Sequence, residues 1–169
     1  MADDDVFPDR SMELRDKFAW MIETNGWLLE PVAARTDIDP PIPGYSYTIG
    51  FEETFGFPEV LIVGLKPVHA RGLAGLLADL LRGGTQVPVG ELFRGLYDGE
   101  QRAALLPVDA EAMADLFTSA TAWYGERPFR VVQLAWPDRA GWLPWESGFD
   151  PALAGVQLVL GDPPADPPA

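Results

Sequence analysis

The chain has 169 residues, with 26 acidic side chains against 12 Lys plus Arg and a formal net charge of −14. That balance disfavours nucleic-acid and anionic-membrane partners, which need clustered Lys and Arg, whereas the two lysines (Lys17 and Lys66) and the arginines here are scattered. The absence of cysteine excludes disulfides, thiol catalysis and cysteine metal sites, and suits a reducing cytosol.

The opening M-A-D-D-D has neither a basic stretch nor an apolar run, so no signal peptide is expected. No window approaches the roughly 18 apolar residues of a membrane span. A cytoplasmic location follows from these features as an expectation. Residues 1–8 read as a disordered acidic lead and residues 162–169, D-P-P-A-D-P-P-A, as a disordered proline-rich tail. Residues 9–161 are expected to fold as one domain.

The first helix is expected to start at a cap on Asp9 or Ser11, to bury Leu14, Phe18, Met21 and Ile22, and to stop at Gly26. Trp27 to Ala33 reads as a strand, and the proline-rich T-D-I-D-P-P-I-P-G as a loop. Tyr45 to Phe51 is the clearest strand. Tyr45, Tyr47, Ile49 and Phe51 are expected on one face, with Ser46, Thr48 and Gly50 on the other. Gly50 lets another group approach closely. The stretch E-E-T-F-G-F-P is expected to be a loop, and Val60 to Leu65 a central strand covered on both faces.

Pro67 suits the first turn of a second helix with a stripe of Leu73, Leu76, Leu77, Leu80 and Leu81, ended by Gly83-Gly84. Leu92–Tyr97 and Ala103–Val108 read as a strand pair turning at Asp98-Gly99. Asp109 is expected to cap a third helix carrying Met113, Leu116, Phe117, Ala120 and Tyr124. Phe129–Trp136 and Val156–Leu160 complete the strands. This order does not alternate strand and helix regularly. It predicts an α+β fold with a mainly antiparallel or mixed sheet and about three helices.

Laid out in this way, the chain resembles the bacterial family called domain of unknown function 4262. The resemblance rests on G-W at 26–27, Y-S-Y-T-I-G-F at 45–51, F-G-F-P-E at 55–59, G-L at 64–65, W-Y-G at 123–125, V-V-Q-L-A-W-P-D-R at 131–139, P-W-E at 144–146 and Q-L at 157–158. These pieces span about residues 10–160. Many members carry histidine where this chain has Phe57, and Q-P where it has Gln157-Leu158. The resemblance implies candidate positions and no agreed activity.

The most information-rich stretch is Leu134–Glu146, with three of the six tryptophans. Pro137 ends the strand before it, and Asp138 is suited to an Asx turn. Arg139 is suited to pairing with an acid or stacking on a ring. The tryptophans offer pocket walls or a rigid corner. Glu59, after a proline and before an apolar strand, needs partners if buried: either backbone N–H groups of the preceding loop, or a role in recognition or acid–base chemistry.

The candidate ligand-binding set is therefore Tyr47, Thr48, Glu59, Gln133, Trp136, Asp138, Arg139, Trp145 and Glu146, with Glu59 and Asp138 as the candidate catalytic carboxylates. His69, the lone histidine, reads as a packed first-turn residue without metal-ligand spacing. No phosphate loop, dinucleotide fingerprint, EF-hand or G-x-S-x-G elbow is present, and no cofactor or metal is expected. Three functions remain: a non-enzymatic module for a small molecule or peptide, an enzyme using Glu59 or Asp138, and an acidic immunity-type protein shielding a basic partner.

Overall fold

The structure is a computed structural model describing residues 13–97 and 99–164. A six-stranded sheet forms its middle layer: β1 (Leu28–Val32), β2 (Tyr45–Ile49), β3 (Glu59–Val63), β4 (Leu92–Phe93), β5 (Ala103–Val108) and β6 (Val131–Ala135). The spatial order is β1-β2-β3-β6-β5-β4. Only β3 and β6 pair in parallel, with Glu59 opposite Val131; the other pairs are antiparallel. Four α-helices complete the described residues: α1 (Leu14–Asn25), α2 (Phe51–Phe55), α3 (Pro67–Arg82) and α4 (Thr118–Tyr124). This is an α+β domain with a mixed sheet. None of the described helices is long and apolar enough to cross a membrane.

The continuous apolar run of β3 is central, as its sequence requires. Val60 and Ile62 meet α3 on one face of the sheet. Leu61 and Val63 meet α1 and α4 on the other. A fully buried side chain of this size contributes roughly 2 kcal/mol, so the two cores flanking β3 dominate the fold.

Several local expectations are corrected. Phe51 leaves the face of Tyr45, Tyr47 and Ile49 and joins the α3-side core. The chain reverses at Gly50 (φ 115°) and begins α2, so the expected E-E-T-F-G-F-P loop is largely one helical turn. The close approach expected at Gly50 is real: a Cβ there would lie 2.8 Å from the Gly26 carbonyl oxygen. On α3, the buried residues are Ala70, Ala74, Leu77 and Ala78. The three alanines bring the helix close to the sheet, which rotates Leu76 to 46% exposed and leaves His69 exposed instead of packed. Leu14 of α1 is likewise exposed, while Phe18 and Ile22 are buried.

The expected third helix is interrupted. Asp109 caps only a turn, accepting from Ala112 N–H at 3.0 Å. A 3-10 turn, Ala114–Leu116, then precedes α4. Two tyrosines explain the break. Tyr45 Oη donates to the Leu116 carbonyl at 2.8 Å, and Tyr47 Oη accepts from Ser119 N–H at 3.2 Å. Both backbone groups would otherwise sit in a continuous helical ladder.

The pairing of Leu92–Tyr97 with β5 holds only at Leu92 and Phe93, because the chain turns at Gly95 and Leu96 tucks into the core. Val156–Leu160 is not a strand. Both edges of β6 are taken by β3 and β5, so no ladder position is open there. The segment crosses the sheet face instead, and the Val156 carbonyl oxygen comes within 2.3 Å of where a Cβ on Gly64 would lie. The acidic lead, the Asp9 and Ser11 caps, Asp98 of the expected turn and residues 165–169 of the tail lie outside the described residues.

Candidate functional site

Two constellations and one cleft hold the chemistry. At the amino-terminal end of β3, Glu59 is 1% exposed and surrounded by donors. Its Oε1 accepts from Thr48 Oγ1 at 2.8 Å and Phe51 N–H at 3.0 Å. Its Oε2 accepts from Gly50 N–H and Glu52 N–H, each at 3.1 Å, and from the Tyr124 hydroxyl. Thr48 Oγ1 is oriented in turn by Val60 N–H at 2.9 Å. The three N–H groups belong to the turn that starts α2, so the carboxylate satisfies donors a short helix cannot satisfy itself. Burial pushes the Glu59 carboxyl above its ordinary range, while the donors from Tyr124, Glu52, Thr48 and Gly50 act in the opposite direction. Burial, and then the Glu59 charge, push the Tyr124 hydroxyl far up and keep it a donor.

The second constellation is the corner after β6. Asp138 Oδ1 accepts from Ala140 and Trp142 N–H at 2.9 Å each, and Oδ2 from Asp150 N–H at 2.9 Å. Burial alone would raise this carboxyl, but the backbone donors outweigh it and hold it below the carboxylate range. Glu146 is also held low, first by its hydrogen bonds from Arg102 (2.9 and 2.6 Å) and also by Leu143 N–H at 2.8 Å. Arg102 reaches the Gly141 carbonyl as well.

These depressed carboxyls give a signed expectation. A carboxylate held low in the fold stabilises it above its unfolded pKa, and that contribution is lost as the pH falls through the folded value. The amide protons of Ala140, Trp142 and Asp150 are expected to titrate together, with a midpoint below about 3.9, the unperturbed aspartate value. A midpoint at or above that value in a proton–nitrogen NMR titration would remove Asp138 as the organiser of the corner.

Between α3 and this corner lies a cleft of about 700 Å³. Leu65, Val68, Leu73 and Leu76 form one wall, and Trp136, Pro137 and Arg139 the other. The Trp136 ring is fixed by donation from Nε1–H to the Val63 carbonyl at 2.9 Å. Val68 is 69% exposed, unusual for a helical valine whose neighbours are apolar. His69, Tyr97 and Gln101 add polar groups to the lining. The Tyr97 hydroxyl is buried without a partner among the described residues, and burial pushes its pKa far up. A smaller depression of about 360 Å³ adjoins the cleft through Gln101 and Arg139, with Trp142 on its far side. Among the described residues, no group of three or more His, Asp or Glu is placed to hold a metal ion.

The family model for the domain of unknown function DUF4262 matches residues 21–150. The chain belongs to the DUF4262 family. No curated protein and no solved structure matches it. The DUF4262 match contains the Glu59 cluster, the cleft and the corner, while the Q-L at 157–158 lies beyond its end.

Within this DUF4262 fold the candidate residues separate. Trp136, Asp138 and Arg139 meet at the cleft, though the Asp138 carboxylate is committed to backbone donors. Glu146 sits behind it on Arg102. Trp145 packs against the small cluster of Leu106, Ala135 and Leu143. Glu59, with Thr48 bonded to it, lies at the opposite end of the parallel strands: it is in register with Val131, five residues before Trp136, a run of about 16 Å at roughly 3.3 Å per residue, and Tyr47, opposite Leu61, lies midway. Glu59 therefore does not share a site with the tryptophan corner.

Gln133, fully buried, binds the chain itself: its Nε2 donates to the Leu158 carbonyl at 2.8 Å, and its Oε1 accepts from Leu160 and Gly161 N–H at 2.7 and 3.0 Å. Arg139 neither pairs with an acid nor stacks on a ring among the described residues.

Sequence reasoning missed Val68 and Leu76 as cleft residues, because a leucine-rich helix looks uniformly core-facing, and Tyr97, because its position reads as the end of a strand. It also missed Gln157, whose side chain bonds both the N–H and the carbonyl of Trp136 at 2.9 and 2.8 Å. A signal for Gln157 was present: a glutamine inside V-Q-L-V-L must find a buried partner.

Proposed function

We propose that this chain is a cytoplasmic, non-enzymatic binding module whose cleft between α3 and the Trp136–Arg139 corner takes a small molecule or peptide. One observation carries the reading. The cleft, about 700 Å³ and open to solvent, pairs an aromatic wall with exposed apolar side chains of α3 and a few polar groups, which is the composition of ligand sites generally. The carboxylates favour binding over acid–base chemistry. Glu59 receives five donors and Asp138 three, all from the chain itself, leaving little lone-pair capacity for a substrate proton. The absence of cysteine supports the cytoplasmic setting.

A thermal-shift screen with a library of small acids, amines, alcohols and dipeptides tests this reading. A ligand at about one hundred times its Kd contributes about 2.7 kcal/mol, which raises Tm by roughly 5–10 °C in a domain of this size. Leu76→Glu alters the cleft at an exposed position, so it is expected to fold normally and lose that shift. A library that moves nothing, or shifts that survive in Leu76→Glu, would count against the cleft as the site.

A further inference from the structure

We infer that the cleft selects a small amphipathic carboxylate, with the acid group on Arg139 and the apolar body along Val68, Leu76 and Trp136; this rests on the cleft being the binding site. Charge is the deciding feature. Acids outnumber Lys plus Arg by 26 to 12 across the chain, and five of the nine described arginines pair with one (Arg35, Arg82, Arg94, Arg102 and Arg130), whereas the arginine that lines the cleft does not. Arg102 is committed to Glu146 at 2.6 Å. Arg139 is exposed, and no hydrogen bond or ion pair holds its guanidinium among the described residues, although it lines both the cleft and the adjoining depression.

The surroundings point the same way. Asp138, the one acid lining the cleft among the described residues, has its carboxylate turned to the N–H groups of Ala140, Trp142 and Asp150. The opposite wall begins at the start of α3, which has no acid in its first turn and no capping side chain. Lys66 stands at that cap and His69 lies in the first turn. The α3 wall of the cleft thus carries no acid, among the described residues, that competes for Arg139.

Size and fork geometry narrow the anion. A guanidinium matches one carboxylate through two parallel hydrogen bonds. A net charge of −14 repels polyanions. The apolar walls then require a hydrocarbon body, and about 700 Å³ holds a molecule of modest size.

Titration calorimetry with sodium octanoate, octan-1-ol and octylamine separates this inference from the reading beneath it. Wild-type protein is expected to bind octanoate at least about tenfold more tightly than either analogue, the scale of one hydrogen-bonded charge. Arg139→Gln is expected to abolish that preference while retaining octanol binding, and Leu76→Glu to weaken octanoate and octanol. Equal affinity for octanoate and octanol, with both weakened by Leu76→Glu, would overturn the carboxylate inference and leave the cleft intact as a site. Tighter binding of octylamine, or a preference unchanged in Arg139→Gln, would also overturn it. Failure of all three probes to bind would overturn the carboxylate inference, and the library screen then decides the cleft reading separately.

Discussion

Glu59→Ala is expected to destabilise the domain by on the order of 4 kcal/mol, a large part of the roughly 5–15 kcal/mol that holds a typical domain folded. The cost does not come from the lost carboxylate alone. Its removal leaves Gly50, Phe51 and Glu52 N–H, the Thr48 hydroxyl and the Tyr124 hydroxyl without their acceptor, in a place with almost no solvent access. Each buried donor left unsatisfied costs roughly 1–3 kcal/mol, reduced where the cavity admits water.

The start of α2 is undone first, and with it the Phe51 anchor in the α3-side core. Glu59→Gln keeps the shape and one carbonyl oxygen but turns an amide donor toward other donors, so an intermediate loss of about 2 kcal/mol is expected. Urea unfolding of both variants measures this. If Glu59→Ala changes stability by less than about 1 kcal/mol, Glu59 is not the structural acceptor described, and a chemical role regains ground.

Gln133→Ala is expected to cost about 3 kcal/mol and to release the carboxyl-terminal crossing. Three hydrogen bonds go at once, to Leu158, Leu160 and Gly161. The two bonds between the Gln157 side chain and the Trp136 backbone, and the Asp162 N–H donating to the Pro107 carbonyl, then hold the segment against the sheet. Neutral hydrogen bonds contribute about 1 kcal/mol each, and a cavity under a fully buried side chain adds to their loss. Hydrogen exchange is expected to accelerate at Leu160 and Gly161 well before the strands open. Unchanged protection at those two amides in Gln133→Ala would contradict the assignment.

These two cases mark where the sequence was readable. The continuous apolar run of Val60–Leu65 announced a strand covered on both faces, and the period-two pattern of Tyr45–Phe51 announced its neighbour, two residues too long. Hydrophobic periodicity reports which face is buried, and it did so for Phe18, Ile22 and Leu77. It does not report which of several apolar faces wins. On α3 three alanines share the sheet with Leu77, because close approach favours small side chains, and Leu73 and Leu76 turn toward the cleft.

Polar side chains that replace backbone partners escaped periodicity altogether. Tyr45 and Tyr47 broke a helix whose stripe was otherwise perfect, and Gln133 and Gln157 held a segment that looked like a strand. For the site, Trp136, Asp138 and Arg139 were legible as a turn rich in recognition groups. Their separation from Glu59 was not, since it depends on β3 and β6 running parallel, a property of topology that no local pattern encodes.

Under the proposed function, recognition is expected at the cleft between α3 and the corner, with the Glu59 cluster serving the fold. The most direct measurement is a proton–nitrogen NMR map of amide shifts on adding sodium octanoate to the wild-type protein. The perturbed amides are expected to cluster at residues 65–76, at Tyr97 and Gln101, and at 136–142, with Gly50–Glu59 and Tyr124 unmoved. A map centred instead on Gly50–Glu59 and Tyr124 would contradict the account.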